Sequence, residues 1–587
     1  MCGIFGYVGQ PVKVGPVVLE ALRSMEYRGY DSWGVAYTTG EQPGGIIKAV
    51  GRVEVGAAAG AEATAAIGHT RWATHGEVCE RNAHPHLSCG GRIAVVHNGI
   101  IENADELRAG LEDVLLASDT DSEIMAHLVA HNVGRSHSLT EAVQTAFSSI
   151  EGNNAFVVLD RATGEVVVVT RRLPIRLSRH DDGVVLASDP AALAGMVETA
   201  IALPDDTAVS LGTPTHVAEA VVRLIAEGRG VPVPDRGERI EGGPGISMRS
   251  EIAEQPAVLR RVAADIEPVL AAVALARQAE RVVFTGCGSA SHAAMYAADL
   301  LVEAEVGIDG VAIPASEILG QPGRIRPGDV MVALTQSGET ADVIDAVTIA
   351  RERGAAVVGL INAEGSSVER LVDVAVPLLA GHERSVLATK SYLAMLARGA
   401  QLVRGMTGAA DGALGIWLLG EADDVQEVLG SRRTQHWIAG LAEQLAHGSS
   451  ALMLTSGGHM PVAREAALKV KEGSYVHAEA VLSGELKHGV IALVEDHFPC
   501  VMLTPDEAIA SRLRIAAEEL RSRGAAVYWL GPGAPHGLIQ EQAGIVVETP
   551  SPFAQTVLMQ MVALETALMR GVDPDFPRNL AKSVTVR

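Results

Sequence analysis

The sequence predicts an α+β region of stacked sheets with a few helices, followed by two copies of an α/β domain built on a parallel sheet. Three observations lead to this prediction. Up to about residue 210, short apolar runs alternate with turn signals, as in half-buried or buried strands. Residues 281–301 and 450–470 share one strand, turn and helix pattern at an offset of about 170 residues. A stretch rich in Gly, Pro and charge, 230–247, has no periodicity and is typical of a linker.

The bulk composition limits the function classes. A chain of 587 residues exceeds one hydrophobic core, which stops growing near ~250–300 residues, so we expect three or four domains. No apolar run reaches the ~18 residues of a membrane span, and MCGIFGYVG lacks the basic segment of a signal peptide. The net charge of −24 disfavours nucleic acid and anionic lipid as partners. Five cysteines fit a reducing cytoplasm, where we expect the protein to be.

In the amino-terminal region the predicted strands are GIFGYVG, RIAVVHNG, AFVVLD, EVVVVT and GVVLASD, and a helix is predicted over 122–131. In the second half, RVVFTGCGSASHAAMYAADLL and SALMLTSGGHMPVAREAALKV each predict a strand, a Gly-rich turn and an Ala-rich helix. DVMVALTQSGETADV (329–343) predicts a further strand and loop, with PCVMLTPDEA (499–508) as its weaker counterpart.

Cys2 is the first candidate for chemistry. If Met1 is removed, Cys2 carries a thiol and a free α-amine whose ordinary pKa is near ~7.7–8.0, so nucleophile and base occupy one residue. The alternative is that Cys2 is only a small buried apolar residue.

Three segments of the same region supply partners for an amino acid substrate. HTRWATHGE contains Arg71, Thr74 and His75, an apolar strand ends in Asn98-Gly99, and SDTDSE contains Asp121. A guanidinium pairs with a carboxylate, a carboxylate pairs with an ammonium, and an amide plus a backbone N–H stabilise an oxyanion. Each group alone fits a solvated loop residue, but with Cys2 they predict an amidase for glutamine.

The motifs CGIFGYVG, YRGYDSWG, HTRWATHG, NAHPH, HNGIIEN and SDTDSE resemble the glutaminase domain of the N-terminal-nucleophile (class II) amidotransferases, which consists of stacked antiparallel sheets with helices. The second half resembles the two sugar isomerase (SIS) domains of the glutamine:fructose-6-phosphate aminotransferases. The resemblance runs from Cys2 to Arg587. It implies a glutaminase domain over 2–229, a linker over 230–247, SIS domains over 248–435 and 436–576, and a catalytic tail over 577–587.

For the first domain, the resemblance implies that Cys2 is the nucleophile and that Asn98 and the Gly99 N–H form the oxyanion hole. Glutamine would be held by Arg71, Thr74, His75 and Asp121, and Trp72 would gate an internal ammonia channel. The segment TRRLPIRL (170–177) departs from the family, which usually has Gly-Ser before the proline.

Zinc is a competing interpretation of part of this domain. Cys79, His84, His86 and Cys89 have a spacing that could bind the ion. Neither cysteine belongs to a C-x-x-C knuckle, and NAHPH already has a place in the glutaminase resemblance. We therefore expect no metal.

TQSGET (335–340) follows an apolar strand and precedes a predicted helix. Its hydroxyls, on Thr335, Ser337 and Thr340, and its backbone N–H groups could hold a phosphate at a helix amino end, although such loops are often only turns. The loop lacks the GK[ST] ending of a nucleotide P-loop, which favours a sugar phosphate over ATP.

Glu465, Lys469 and Glu472 fall on one face of a predicted helix. Such spacing alone fits a surface ion pair. The resemblance instead makes Glu472 the base that moves a proton between C1 and C2 of the sugar, with Lys469 and Glu465 beside it. The other implied sugar-site residues are a ring-opening His488 from across a dimer interface, a Schiff-base Lys582, and the binding residues Ser289, Thr335, Gln336, Ser337, Thr340, Ala388 and Ala581.

The implied reaction is glutamine-dependent conversion of fructose 6-phosphate to glucosamine 6-phosphate, by a homodimer with no cofactor. Two departures leave the sugar open: Ser289-Ala290 stands where the family usually has Thr-Ser, and Ala388 stands where it usually has Ser. A paralogue acting on another ketose phosphate is the alternative. A sugar-phosphate-binding regulator would need neither Cys2 nor Lys582, and hydrolytic deamination would need no glutaminase half.

Overall fold

The computed structural model describes residues 2–39, 44–111, 114–228, 230–233, 243–541 and 546–582. Met1, the predicted linker residues 234–242 and the tail residues 583–587 lie outside this set. The chain divides into two compact units. Unit 1 comprises the described residues of Met1–Arg239 and of Ala581–Arg587, and unit 2 comprises those of Ile240–Leu580.

Unit 1 contains two antiparallel sheets among its described residues, one of eight strands and one of six. The strands of the first, in spatial order, are β14 (Val231–Pro232), β11 (Thr199–Ala202), β9 (Arg176–His180), β10 (Gly183–Ala187), β1 (Gly3–Lys13), β4 (Glu62–Arg71), β2 (Ser32–Thr38) and β3 (Ile46–Val50). Those of the second are β13 (His216–Val217), β12 (Val209–Thr213), β8 (Glu165–Arg171), β7 (Asn154–Asp160), β6 (Ile93–Gly99) and β5 (His86–Leu87). The helices are α1 (Glu20–Ser24), α2 (Ala104–Ala109), α3 (Glu123–Val133), α4 (Leu139–Ser148) and α5 (Glu219–Glu227).

Side-chain alternation explains how the two sheets stack. Along β1, Ile4 faces a core shared with Val96 and Val157 of the second sheet, whereas the adjacent Phe5 packs on the opposite face. The outer face of the second sheet is covered by α3 and α4, which bury Phe147 there. Because successive strand residues point to opposite faces, both faces of each sheet bury apolar side chains. The predicted stacked antiparallel sheets are confirmed.

Unit 2 contains two five-stranded parallel sheets among its described residues, and both have the strand order 2-1-3-4-5. The first runs β16 (Asp309–Ala312), β15 (Arg281–Thr285), β17 (Val330–Thr335), β18 (Ala356–Ile361) and β19 (Val374–Pro377). The second runs β21 (His477–Leu482), β20 (Ser450–Thr455), β22 (Pro499–Leu503), β23 (Ala526–Leu530) and β24 (Val546–Val547). The predicted repeat of one α/β domain is therefore confirmed.

Helices cover both sheets of unit 2. They are α6 (Ile246–Ala264), α7 (Glu267–Ala276), α8 (Ser289–Glu303), α9 (Ala315–Gly320), α10 (Ala341–Glu352), α11 (Ser367–Leu371), α12 (Lys390–Met406), α13 (Asp411–Gly430), α14 (Arg432–His447), α15 (Met460–Ser474), α16 (Glu507–Arg521), α17 (His536–Glu541) and α18 (Pro552–Met569). One core joins the repeats and includes buried residues of α8, α12, α15 and α18. Within the described ranges, none of these helices is long and apolar enough to cross a membrane.

The strand order also predicts where a ligand would bind to the first repeat. In an open parallel sheet, ligands bind beyond the carboxyl ends of neighbouring strands whose connections leave in opposite directions. In the first repeat these strands are β15 and β17, which end at Thr285 and Thr335. The loops that follow them carry the Ser289 and TQSGET motifs.

Candidate active site

In unit 1, Cys2 lies at the start of β1, beside the end of β4. The Trp72 N–H donates to the Cys2 sulfur at 3.3 Å, and the Gly3 N–H donates to the Thr70 hydroxyl at 3.1 Å. Burial raises the pKa of the Cys2 thiol, and the bond from Trp72 opposes this rise. The thiol therefore needs a base to become a nucleophile at neutral pH.

Asn98 and Gly99 end β6 next to Cys2. The Asn98 Nδ2 donates to the Cys2 carbonyl oxygen at 3.1 Å. Gly99 has a φ of +125°, and a Cβ there would lie 2.4 Å from the Asn153 carbonyl oxygen, so only glycine fits. The structure thus brings the predicted nucleophile and one predicted oxyanion donor together.

Arg71 is buried at the end of β4, and the loop that follows folds over it. Its guanidinium donates to the carbonyl oxygens of His75, Gly76 and Glu77, the last at 3.3 Å. The Thr74 and His75 side chains are exposed and touch each other at 3.3 Å. Arg71 therefore lies near Cys2 with its loop carbonyls as partners, whereas Thr74 and His75 face outward.

Asp121 is buried, and its Oδ2 accepts a bond from the Ile101 N–H at 2.8 Å, just beyond the Asn98-Gly99 turn. Two residues that the sequence prediction did not single out support this site. The Asp31 carboxylate accepts from the Ala73 N–H at 2.8 Å, and the Tyr30 ring packs edge-on against Trp72 at 5.7 Å. Both residues lie in the YRGYDSWG motif, and this motif could have identified them from the sequence.

The departure at TRRLPIRL has a backbone explanation. Arg172 has a φ of +58°, the left-handed region that glycine tolerates best, and its N–H donates to the Asp205 carboxylate at 3.0 Å. Arg172 therefore adopts the backbone conformation expected of the glycine that the family usually has before the proline.

The possible zinc ligands do not form a metal site in the described part of the chain. The His84 ring packs edge-on against His86 at 4.5 Å, and Cys89 is exposed.

In unit 2, the predicted helical face of α15 becomes a buried charge cluster. Lys469 Nζ lies 2.6 Å from Glu472 Oε2 and 3.4 Å from Glu465 Oε1. Burial alone would lower the pKa of Lys469, but the two carboxylates raise it above its usual value, so it remains a cation. The surface-pair interpretation is wrong, because the Lys469 side chain is 1% exposed.

The amino end of α8 completes this cluster from the first repeat. The Ser289 hydroxyl donates to Glu465 Oε1 at 2.9 Å and lies 3.2 Å from Lys469 Nζ. His292, which sequence reasoning missed, places Nδ1 2.8 Å from Glu465 Oε2. Burial alone would raise the pKa of Glu465, but Lys469, followed by His292 and Ser289, holds it below its usual value, so Glu465 remains ionised. Glu472 is the most accessible of the four charged or titratable members, with 22% of its side chain exposed against 17% for His292.

The TQSGET loop lies between β17 and α10. The Thr335 hydroxyl accepts from the Gly338 N–H at 3.0 Å, and the Ser337 hydroxyl accepts from the Glu339 N–H at 3.1 Å. Gly338 has a φ of +63° and packs on the Ser366 hydroxyl. Gln336 is half-buried, and Thr340 is the N-cap of α10. This arrangement can present hydroxyls and a helix dipole to an anion.

The loop that carries Ala388 is fixed by two buried carboxylates. Glu383 accepts from the N–H groups of Thr389 and Ser391, at 2.9 and 3.0 Å, and Glu251 accepts from the Thr389 hydroxyl at 3.1 Å. Ala388 is half-buried between these anchored positions.

Three further residues were predicted for the sugar site: His488, Ala581 and Lys582. His488 is exposed at the end of a short helical turn after β21. Ala581 and Lys582 group with unit 1, and their part in the sugar site stays a prediction.

Comparison with known proteins places these clusters in context. Residues 69–195 match the family model of the glutamine amidotransferase domain, and residues 275–404 and 444–570 match that of the SIS domain. The chain is 36% identical over 629 aligned residues to the glutamine--fructose-6-phosphate aminotransferase (isomerizing) of Shewanella oneidensis, with 100% of both chains covered. It is 35% identical to the protein of that name from Halobacterium salinarum, again over 100% of both. The solved C-terminal domain of glucosamine-fructose-6-phosphate aminotransferase from Francisella tularensis is also similar. The structural match spans 56% of this chain and 98% of the solved chain, with a TM-score of 0.50 and 26% sequence identity.

Proposed function

The chain belongs to the family of isomerizing glutamine--fructose-6-phosphate aminotransferases, and from this premise we propose that it converts fructose 6-phosphate and glutamine into glucosamine 6-phosphate and glutamate. The observation that carries the proposal is that one chain, matched over its full length, has a Cys2–Asn98 cluster and a buried Glu465–Lys469–Glu472 cluster. The first fits amide hydrolysis and the second fits sugar isomerisation.

In the glutaminase step, the Cys2 thiolate attacks the amide carbon of glutamine, with its own α-amine as the base. The Asn98 Nδ2 and the Gly99 N–H donate to the oxyanion. Ammonia leaves, and water hydrolyses the thioester to glutamate. Arg71 and Asp121 pair with the substrate carboxylate and ammonium, and Thr74 and His75 contribute from the loop after β4. The amine role requires removal of Met1, which intact-mass measurement checks.

In the sugar step, Thr335, Gln336, Ser337 and Thr340 hold the phosphate at the amino end of α10, and Ser289, Ala388, Glu465 and Ala581 contact the sugar. His488 opens the ring. Lys582 forms a Schiff base at C2, and ammonia then displaces it. Glu472 moves a proton from C1 to C2, giving the aldose amine. Lys469 holds Glu472 in place through their 2.6 Å contact.

Three further assignments complete the proposal. Trp72, supported by Tyr30, gates the passage of ammonia away from water. The active form is a homodimer in which His488 acts in the partner's site, which fits its exposure here. The protein works in the cytoplasm, where its five free thiols stay reduced.

A second candidate sugar has specific support. Ala290 and Ala388 both lack hydroxyls near the proposed sugar site, and each missing hydrogen bond typically changes binding by about 0.5–1.5 kcal/mol. These positions favour testing other ketose phosphates alongside fructose 6-phosphate.

The test is to supply glutamine labelled with ¹⁵N in its amide together with fructose 6-phosphate, and to look for labelled glucosamine 6-phosphate. Cys2→Ala should lose this activity but keep synthesis from ammonium salt. Glutamate release that accompanies amination of a different ketose phosphate would select the second candidate. The proposal would be contradicted if the enzyme released no glutamate from glutamine in the presence of any of these sugar phosphates.

A further inference from the structure

Buried histidines pack together behind the Asn98-Gly99 turn of unit 1. His69 lies on β4, His84 precedes β5, and His97 lies on β6, next to Asn98. The His69 and His84 rings meet edge-on with centroids 4.1 Å apart. All three are at least 95% buried, which separates them from bulk water. Nothing in the glutaminase mechanism described above uses His69 or His84.

The hydrogen bonds of His69 fix its tautomer. Its Nε2 lies 2.7 Å from the His97 carbonyl oxygen, which can only accept, so Nε2 carries the proton. Burial lowers the pKa of His69 to about 3, so at neutral pH its Nδ1 is an acceptor. His84 Nδ1 lies 2.9 Å from this Nδ1 and 3.1 Å from Nε2, so it contacts both ring nitrogens of His69. The proton of His69 is therefore fixed on Nε2 by the His97 carbonyl oxygen, and His84 packs against the same ring.

The same Nε2–H reaches the Asn98 side chain. His69 Nε2 lies 3.2 Å from Asn98 Oδ1, so the amide oxygen is turned toward His69 and the amide Nδ2 toward Cys2. If the amide were flipped, its oxygen would face the developing oxyanion and repel it. The Cys2 carbonyl oxygen, which can only accept, holds Nδ2 on one side of the amide, and the His69 Nε2–H holds Oδ1 on the other.

We propose that His69, oriented by His84, is a positioning residue that holds the Asn98 amide with Nδ2 toward the oxyanion of glutamine hydrolysis. The inference rests on the proposed glutaminase function. No proton is transferred, because the pair acts only through fixed donors and acceptors.

The other histidines of the cluster have different partners, which supplies a matched control. His97 binds Ser122 and Asn154 through its ring nitrogens, at 2.7 and 2.8 Å. His86 is equally buried but its Nε2 pairs with the Thr120 hydroxyl at 3.0 Å. Removal of the His86 ring therefore disturbs the same cluster without removing the donor to Asn98.

The experiment measures glutaminase kinetics of the full chain. His69→Leu should lower kcat at least tenfold, up to the ~10²–10³-fold typical of a lost oxyanion donor, with little change in KM for glutamine. His69→Gln, which retains an N–H near the Nε2 position, should recover most of this loss. His84→Leu should cost less than His69→Leu, and the control His86→Leu should stay within about threefold of the wild type.

Two further readouts separate positioning from simple misfolding. Alkylation of Cys2 by iodoacetamide, followed on the Cys2 peptide by mass spectrometry, should keep its rate because the thiol is untouched. In an Asn98→Ala background, His69→Leu should cause no further loss of kcat, because its effect passes through Asn98. The inference would be overturned if the two substitutions lowered kcat multiplicatively in this double variant. It would also be overturned if alkylation of Cys2 slowed in parallel with kcat. A wild-type enzyme without glutaminase activity would instead overturn the proposed function.

Discussion

The two α/β repeats of unit 2 share a strand order but place different groups at the same turn. In the first repeat, β17 leads to α10, whose N-cap Thr340 makes no side-chain capping bond with any described residue. In the second, β22 leads to α16, whose N-cap Asp506 accepts from the Ile509 N–H at 2.8 Å. The amino end of a helix attracts an anion, and in the second repeat the Asp506 carboxylate already occupies it.

The helix that follows the first strand of each repeat shows the opposite distribution. At the start of α8 the first repeat offers the hydroxyl of Ser289, whereas α15 of the second repeat carries Glu465, Lys469 and Glu472. One fold, used twice, thus separates two tasks. In the proposed function, the first repeat supplies the groups that bind the phosphate, and the second supplies the groups that move protons.

The strongest test of this division is Glu472→Gln in the second repeat. If Glu472 is the base, the variant should lose synthesis by ~10²–10⁴-fold, because an amide accepts no proton. Its oxygen can still accept from Lys469, so the cluster should remain folded. Product formation is measured by mass spectrometry. The same variant should still release glutamate at a rate near that of the wild type. The exposed control Glu443→Gln should retain normal synthesis. If Glu472→Gln retained the wild-type rate of synthesis, Glu472 would not be the base.

The next largest effect concerns stability. Lys469→Met leaves the buried Glu465 and the half-buried Glu472 without their cation, and breaking a buried ion pair typically costs about 3–5 kcal/mol. Calorimetry should show a lower melting temperature for unit 2, with unit 1 as the internal reference. The double variant Glu465→Gln/Lys469→Met should be less destabilised, because it also removes one unpaired charge. Equal melting of both variants would mean that the charges are not coupled.

A crossed pair of substitutions compares the two N-caps directly. Thr340→Ala should raise KM for the sugar phosphate about tenfold, the effect of one bond to a charged group, and should hardly change stability. Asp506→Ala should leave this KM unchanged and should lower stability by about 1 kcal/mol, because it removes a helix cap. Steady-state kinetics and urea unfolding of both variants check this. The division fails if Asp506→Ala weakens sugar binding as much as Thr340→Ala does.

The sequence predicted those parts that depend on local pattern. Strand alternation predicted the stacked sheets, the repeat predicted the paired parallel sheets, and helical spacing placed Lys469 between two carboxylates. The contact of His292 with Glu465 joins residues of different repeats, and His69 meets Asn98 across two strands. Neither contact leaves a local signature, because tertiary packing alone creates it. The Asp506 cap did have a signal, an aspartate directly before a helix.

The smallest expected effect lies where the repeats touch. Asp299 and Glu303 of α8 lie against the turn at Gly458, which has no side chain to exclude them. Burial and the neighbouring Glu303 raise the pKa of Asp299 from its ordinary 3.8 to about 6. Since the folded pKa exceeds the unfolded one, this group's stabilising contribution is complete below about pH 4 and is lost as the pH rises through about 6.

Asp299→Asn should therefore melt like the wild type near pH 4 and at a higher temperature at pH 7.5. The gap should be modest because Asp299 is only half-buried. A gap that does not change with pH would mean that Asp299 ionises in the folded protein as it does in the unfolded chain.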